Sequence, residues 1–116
     1  MAAADRTRQR TIELTTRGRR SGQLRTARLW FVADGENRIA VQHVGRRPAN
    51  WYWNLVRDPA VEVNFGDGPI AARATAIQQP VQIRAVLRRI RRKYWTAWLI
   101  QLLSLGATPR AAVISW

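Results

Sequence analysis

Val61-Glu62-Val63-Asn64-Phe65, then Gly66-Asp67-Gly68-Pro69, then Ile70-Ala71-Ala72-Arg73-Ala74-Thr75-Ala76-Ile77 is the stretch that decides the fold. The first run alternates apolar and polar residues. The break gathers Gly, Asp and Pro, and the second run leads back. Period two on either side of turn residues predicts an antiparallel hairpin with one face on a core. Upstream the same pattern recurs. Arg10 to Thr16 alternates and is rich in β-branched residues, and Gly18 to Gly22 interrupts it. Thr26 to Ala33 reads as one second strand, and Asp34-Gly35 turns it into a partner over Arg38 to Val44. Gly45 to Pro48 breaks that strand. Ala49 to Arg57 reads as a short helix, stopped before Asp58-Pro59 because the residue preceding a proline disfavours helix.

Downstream of Pro80 the period changes. Ile83, Val86, Leu87, Ile90, Tyr94, Ala97 and Trp98 fall on one helical face, while Arg84, Arg88, Arg91 and Arg92 gather on another. Pro80 suits the first helical position and Gly106 the stop, so one long C-terminal helix is expected over Pro80 to Leu105. Ala111 to Trp116 reads as a final strand. The expectation is an α+β, mainly β chain: a small barrel with one short and one long helix. It forms a single domain over residues 1–116, with 1–9 flexible.

The 116 residues leave room for one modest core, and 47% hydrophobic against 23% charged residues argues against disorder. Lys and Arg number 20 against 7 Asp and Glu, a formal net charge of +13, so an anionic partner is expected. There are no cysteines, which excludes disulfide scaffolds, thiolate zinc sites and Cys catalysis. His43 is the only histidine, which excludes multi-His metal chemistry, and no metal site is expected. The opening MAAADRTRQR lacks the apolar stretch of a signal peptide. The longest apolar run, Tyr94 to Leu105, is too short to span a bilayer unaided. A cytoplasmic protein is expected, with peripheral membrane contact through Pro80 to Leu105 as an option. A basic face beside a Trp-rich face is what a surface-lying helix requires. The bland alternative is a barrel-packing helix with solvated arginines.

The densest chemical signal is Thr15-Thr16-Arg17-Gly18-Arg19-Arg20-Ser21-Gly22-Gln23-Leu24-Arg25. Flanking glycines let backbone amides face an anion. Arg19, Arg20 and Arg25 add guanidinium forks that match phosphate oxygens, and Ser21 adds a hydroxyl. The loop is not a P-loop, because the required lysine and glycine spacing are missing. Its bland reading is a solvated hairpin of a basic protein. A second cluster, Arg46-Arg47-Pro48-Ala49-Asn50-Trp51-Tyr52-Trp53-Asn54-Leu55, suits a flat heterocycle attached to phosphate. Trp51 and Leu55, one turn apart, serve equally well to plug a barrel end.

Together, Leu14-Thr15-Thr16-Arg17-Gly18-Arg19-Arg20-Ser21-Gly22-x-x-Arg25 and the later Pro48-x-x-Trp51-Tyr52-x-Asn54-Leu55-x-x-Asp58-Pro59-x-Val61-x-Val63 resemble the deazaflavin-dependent nitroreductase family. The resemblance covers roughly Thr11 to Ala74. It implies a split β-barrel of the pyridoxamine-phosphate-oxidase-like, FMN-binding type, and reduced coenzyme F-420 as hydride donor, with FMN as runner-up. It implies that Arg19, Arg20, Ser21, Gly22 and Arg25 hold the cofactor's phosphate and carboxylate-rich tail. Gln42, His43, Val44 and Gly45 match the strand end along the ring, and Trp51 and Asn54 match the residues beside it. Arg20 stands where many relatives carry lysine, and Ala49-Asn50 replaces the more usual His-Pro.

The implied chemistry is hydride transfer to an electron-poor acceptor such as a quinone, nitro compound or activated enone. Tyr52 and Tyr94 hydroxyls are candidate donors to charge developing on that acceptor, with a packing role as the alternative for Tyr94. His43 is a candidate acid or a structural strand residue. No paired carboxylates or nucleophile–base arrangement stand out, which disfavours hydrolysis. Two other classes stay open: a basic nucleic-acid-binding small barrel, the less favoured partner reading, and a deazaflavin- or flavin-binding protein without turnover. The chain is expected to act as a monomer or homodimer.

Overall fold

The alternating runs around Gly66–Pro69 form the predicted hairpin: Val61 pairs with Ala72 and Val63 with Ile70. The computed structural model describes residues 6, 8–43, 48–94 and 109–116. Among these, the strands are β1 (Ile12–Arg17), β2 (Leu24–Leu29), β3 (Phe31–Ala33), β4 (Arg38–His43), β5 (Ala60–Asn64), β6 (Pro69–Ile77) and β7 (Arg110–Ser115). The helices are α1 (Asn50–Arg57) and α2 (Pro80–Lys93). All seven strands form one antiparallel sheet in the order β2-β1-β5-β6-β7-β4-β3.

That order makes the sheet a curled barrel. β2 and β3 lie at its two edges, yet only Trp30 separates them in sequence. Two residues reach about 7 Å at full extension, so the edges must come together. The single strand expected over Thr26 to Ala33 is therefore two strands. β2 pairs with β1 and β3 pairs with β4, and apolar periodicity carries no record of that change of partner.

Inside the barrel lie Ile12, Leu14, Phe31, Ile39, Val41, Val63, Phe65 and Ile114, plugged by Trp51, Tyr52 and Leu55 of α1. The outer face of β3, β4 and β7 is covered by α2, where Val86 and Ile90 pack on Val32, Ala40 and Ala111. β4 consequently buries both faces, Ile39 and Val41 inward and Ala40 outward. Each fully buried aliphatic side chain contributes about 1.5–3 kcal/mol.

α1 stops at Arg57, and the Asp58 backbone is extended (φ −133°, ψ 103°) before Pro59, as expected. α2 begins with Pro80 at its first position, and Arg91, Arg92 and Lys93 complement its C-terminal dipole. The expectation of a helix to Leu105 needs correction at Tyr94. There the backbone turns extended (φ −120°, ψ 103°), although its N–H still donates to Ile90 O at 2.9 Å. The Tyr94 ring stacks on Trp30, centroids 4.8 Å apart, and its hydroxyl is shared by the backbones of Phe31 and Arg10. Ala97, Trp98 and the rest of that expected helix lie outside the described residues, as do Val44 to Arg47 and most of residues 1–9. Of the last, Arg6 meets Asp67 at 3.1 Å.

Candidate functional site

The Gly18–Gln23 bend closes on itself before it meets anything else. Gly18 N–H donates to Gln23 O at 2.7 Å, and Gly22 N–H donates to Gly18 O at 2.9 Å. Gln23 N–H donates to Ser21 Oγ at 3.2 Å, leaving the hydroxyl proton available as a donor. Gly22 sits at φ 73°, where a side chain would be strained. A Cβ on Gly18 would come within 2.8 Å of Ser21 Oγ and 3.1 Å of Gln23 O.

Asn54 of α1 fastens this bend to the barrel. Its Oδ1 accepts the Arg19 backbone N–H at 3.2 Å and Arg19 Nη1 at 2.9 Å, and its Nδ2 donates to Thr16 Oγ1 at 3.2 Å. Both Asn54 and Thr16 are buried, so this pairing satisfies polar groups that water does not reach. Asn50, one turn earlier, accepts from Arg19 as well: Nη2 at 3.4 Å on its Oδ1 and Nη1 at 3.5 Å on its carbonyl.

Between bend, β2 and α1 runs a cleft of about 640 Å³. This lies within the range of about 300–1,000 Å³ usual for small-molecule sites. The bend contributes Gly18, Arg19, Arg20 and Ser21; the strands contribute Thr16, Arg25, Thr26 and Ala27; the α1 side contributes Pro48, Asn50, Trp51 and Asn54. Three guanidinium groups line it, and no carboxylate is among its lining residues. Such a cleft attracts anions. Trp51, also on its wall, is buried, and its indole Nε1 has no hydrogen-bond partner among the described residues.

The expected residues separate on this geometry. Arg19, Arg20, Ser21, Arg25, Trp51 and Asn54 meet in the cleft, while Gly22 shapes the bend without lining it. His43 lies on the Trp51 side, its ring centroid 6.5 Å away. Gln42 does not join them. It shares a sheet face with its ladder partner Ala111, which packs beneath α2, and its buried Oε1 is unpartnered among the described residues. Val44 and Gly45 fall outside the described residues.

Neither tyrosine lines the cleft. Tyr52 packs edge-on against Trp51 and Trp53, and Arg110 covers the Tyr52 and Trp53 rings at 5.3 and 4.9 Å. Tyr94 belongs to the core beneath α2, where burial pushes its phenol above the ordinary value. Thr16 and Asn50 lie within the two quoted clusters but were not among the expected site residues. Their roles come from partners 38 residues away in one case and 31 in the other.

A curled antiparallel barrel with a cationic, tryptophan-walled cleft defines the class first: a split barrel. An F420-H2 dependent reductase shares the fold at TM-score 0.66 and 18% identity, covering 91% of this chain and 94% of that one. A putative pyridoxamine 5'-phosphate oxidase from Listeria innocua does so at TM-score 0.64 and 14% identity, over 96% and 86%. The family model described as F420H(2)-dependent quinone reductase matches residues 4–100, and the chain belongs to that family. An F420H(2)-dependent quinone reductase of Mycobacterium tuberculosis is 34% identical over 70 residues, 59% of this chain and 47% of that protein. The chain thus spans about half the length of the curated relatives it matches.

Proposed function

We propose that the chain binds reduced coenzyme F-420 in the cleft between the arginine bend and Trp51 and passes a hydride to a quinone. One observation carries this reading. Arginines that no carboxylate pairs and a tryptophan line one cleft, matching a molecule with an anionic tail and a flat ring. Family membership supports the same cofactor.

The residues present fit the group. Arg20 and Arg25 offer paired donors to phosphate or carboxylate oxygens, and Ser21 adds a hydroxyl. Trp51 offers a face for the ring and an indole N–H that lacks a partner among the described residues, and an unmatched buried donor favours an acceptor brought by a ligand. When bound, coenzyme F-420 supplies the hydride. The chain binds the tail through its guanidinium groups, keeps water from the Trp51 end, and orients the ring toward the acceptor. Tyr94 is not proposed as a donor to the acceptor, because backbone groups already engage its hydroxyl.

A nucleic-acid surface would need exposed rings among the arginines of the cleft; Trp53 is 42% exposed beside Arg110, but Trp51, the tryptophan that lines the cleft, is only 6% exposed. Among the described residues no helix is long and apolar enough to cross a membrane.

Titration with oxidised coenzyme F-420, followed by cofactor fluorescence, tests binding. Single-turnover oxidation of the reduced form by menadione tests transfer. Saturable binding followed by oxidation is expected. Binding without oxidation leaves a carrier, and no binding removes the cofactor reading altogether.

A further inference from the structure

We propose that Arg19 positions the cleft rather than gripping the anion, and that the grip belongs to Arg20 and Arg25. The proposal rests on the reading that an anionic cofactor occupies the cleft, and it divides labour among three arginines that the sequence presents as equivalent. The division follows from what each guanidinium already holds.

Arg19 is half-buried and committed. Its Nη1 donates to Asn54 Oδ1 at 2.9 Å and to the Asn50 carbonyl at 3.5 Å, its Nη2 reaches Asn50 Oδ1 at 3.4 Å, and its backbone N–H donates again to Asn54. Swinging onto an anion would strip the buried Asn54 oxygen of its charged donor. Arg20 is exposed, lines the same cleft, and has no hydrogen bond or ion pair among the described residues. Among the described residues Arg25 has one neutral, exposed hydrogen bond, its Nη2 on Gln23 Oε1 at 3.3 Å. An incoming phosphate or carboxylate competes with nothing at Arg20 and with little at Arg25. At Arg19 it competes with a network.

That network also joins the bend to α1. Asn50, Trp51 and Asn54 lie on the first five residues of α1, so Arg19 holds the anion bend in register with the Trp51 wall. Lysine at this position would keep the charge and lose the fork that spans two asparagines.

Coenzyme F-420 affinity is measured over a salt series for the wild-type chain and for Arg19→Lys, Arg19→Ala, Arg20→Lys and Arg20→Ala. Amide hydrogen exchange of the Gly18–Gln23 bend is measured on the same proteins without cofactor. Arg20→Ala should weaken binding about tenfold at low salt and flatten its salt dependence, with Arg20→Lys staying within about threefold. Bend exchange should not change in either. Arg19→Lys and Arg19→Ala should weaken binding alike, keep the wild-type salt slope, and speed exchange of the bend amides. Arg19→Lys binding like wild type while Arg19→Ala loses salt dependence would overturn the assignment. If the wild-type chain binds no coenzyme F-420, the functional reading falls. The exchange arm still decides Arg19: equal protection in Arg19→Ala and Arg20→Ala would overturn its positioning role.

Discussion

Replacing Tyr94 with Phe separates a structural hydroxyl from a catalytic one. The ring remains stacked on Trp30 at 4.8 Å and 10° between planes, so the substitution removes one oxygen from a side chain that is 6% exposed. The hydroxyl's single proton is shared between the carbonyls of Arg10 and Phe31, the latter at 3.2 Å, and its oxygen accepts the Phe31 N–H at 3.4 Å. It therefore straps the chain ahead of β1 to β3, across the place where the sheet edges meet. After its removal Phe31 O keeps Lys93 Nζ at 3.0 Å. The Arg10 carbonyl loses its strap, for a cost of about 1–2 kcal/mol. Urea unfolding should show this loss with an unchanged slope, and the thermal midpoint should fall by about 4–8 °C. The change also has a pH signature. Burial raises the phenol's pKa, outweighing the Phe31 hydrogen bond and the Arg10 charge, so the folded chain favours the protonated form. The contribution is fully present below the ordinary value of 10.0 and is lost as pH rises through the folded value; Tyr94→Phe should abolish that loss. Menadione reduction by the loaded protein should keep its kcat within about twofold, since the barrier has lost no contact. Wild-type stability together with a tenfold fall in kcat would refute the reasoning and return the hydroxyl to the acceptor.

Lys93 should show the opposite trend. Burial pushes its amine down to about 8, so the folded state gives up the proton first and stability rises between about pH 8 and 10.5. Lys93→Met should flatten that rise, best measured in the Tyr94→Phe background where the neighbouring phenol is absent. Asn54→Ala removes two acceptances from Arg19 and one donation to Thr16, and should cost about 2–4 kcal/mol in urea titration. A loss under about 0.5 kcal/mol would show that the bend does not depend on this residue. Burial raises the Asp34 pKa, but hydrogen bonds and charge from Arg89 and Arg38 outweigh it and hold the carboxyl below its ordinary 3.8. Its contribution is present above that value and lost as pH falls through the lower folded value. Asp34→Asn should destabilise at pH 7 and lessen the further loss on acidification, read from thermal midpoints between pH 2 and 7.

Most of the barrel was legible in the sequence because its determinants are local. The Val61–Ile77 hairpin, the strand leading to Thr16, the α1 stop before Pro59 and the α2 start at Pro80 each depend on residues within a turn or two. Two features did not yield to that reading. The break at Trp30 exists because β2 and β3 take partners at opposite sheet edges, yet the apolar pattern of Thr26 to Ala33 is continuous across it. The end of α2 at Lys93 is set where Tyr94 leaves the helix against Trp30, a residue 64 positions earlier. Hydrophobic periodicity reports which face is buried, not which element buries it.

The same limit governs the site and explains why net charge alone was ambiguous there. A surplus of +13 argues for an anion but says nothing about which guanidiniums are available to meet it. The fold sorts them by partner. Arg6 goes to Asp67, Arg28 to Glu13, and Arg38 and Arg89 to Asp34. Arg17 takes the Gly22 carbonyl and Asp58, and Arg19 takes Asn50 and Asn54. Within the bend and its flanking strands, Arg20 and Arg25 are left facing the cleft without an acid. The free positive charge of the cleft is thus a residue of the tertiary pairing, and it could be redirected without touching Arg20. Exchanging Asn54 for a larger apolar side chain would release the Arg19 guanidinium into the cleft. It would uncommit a cation that already lines the cleft while loosening the bend that carries Arg19 and Arg20.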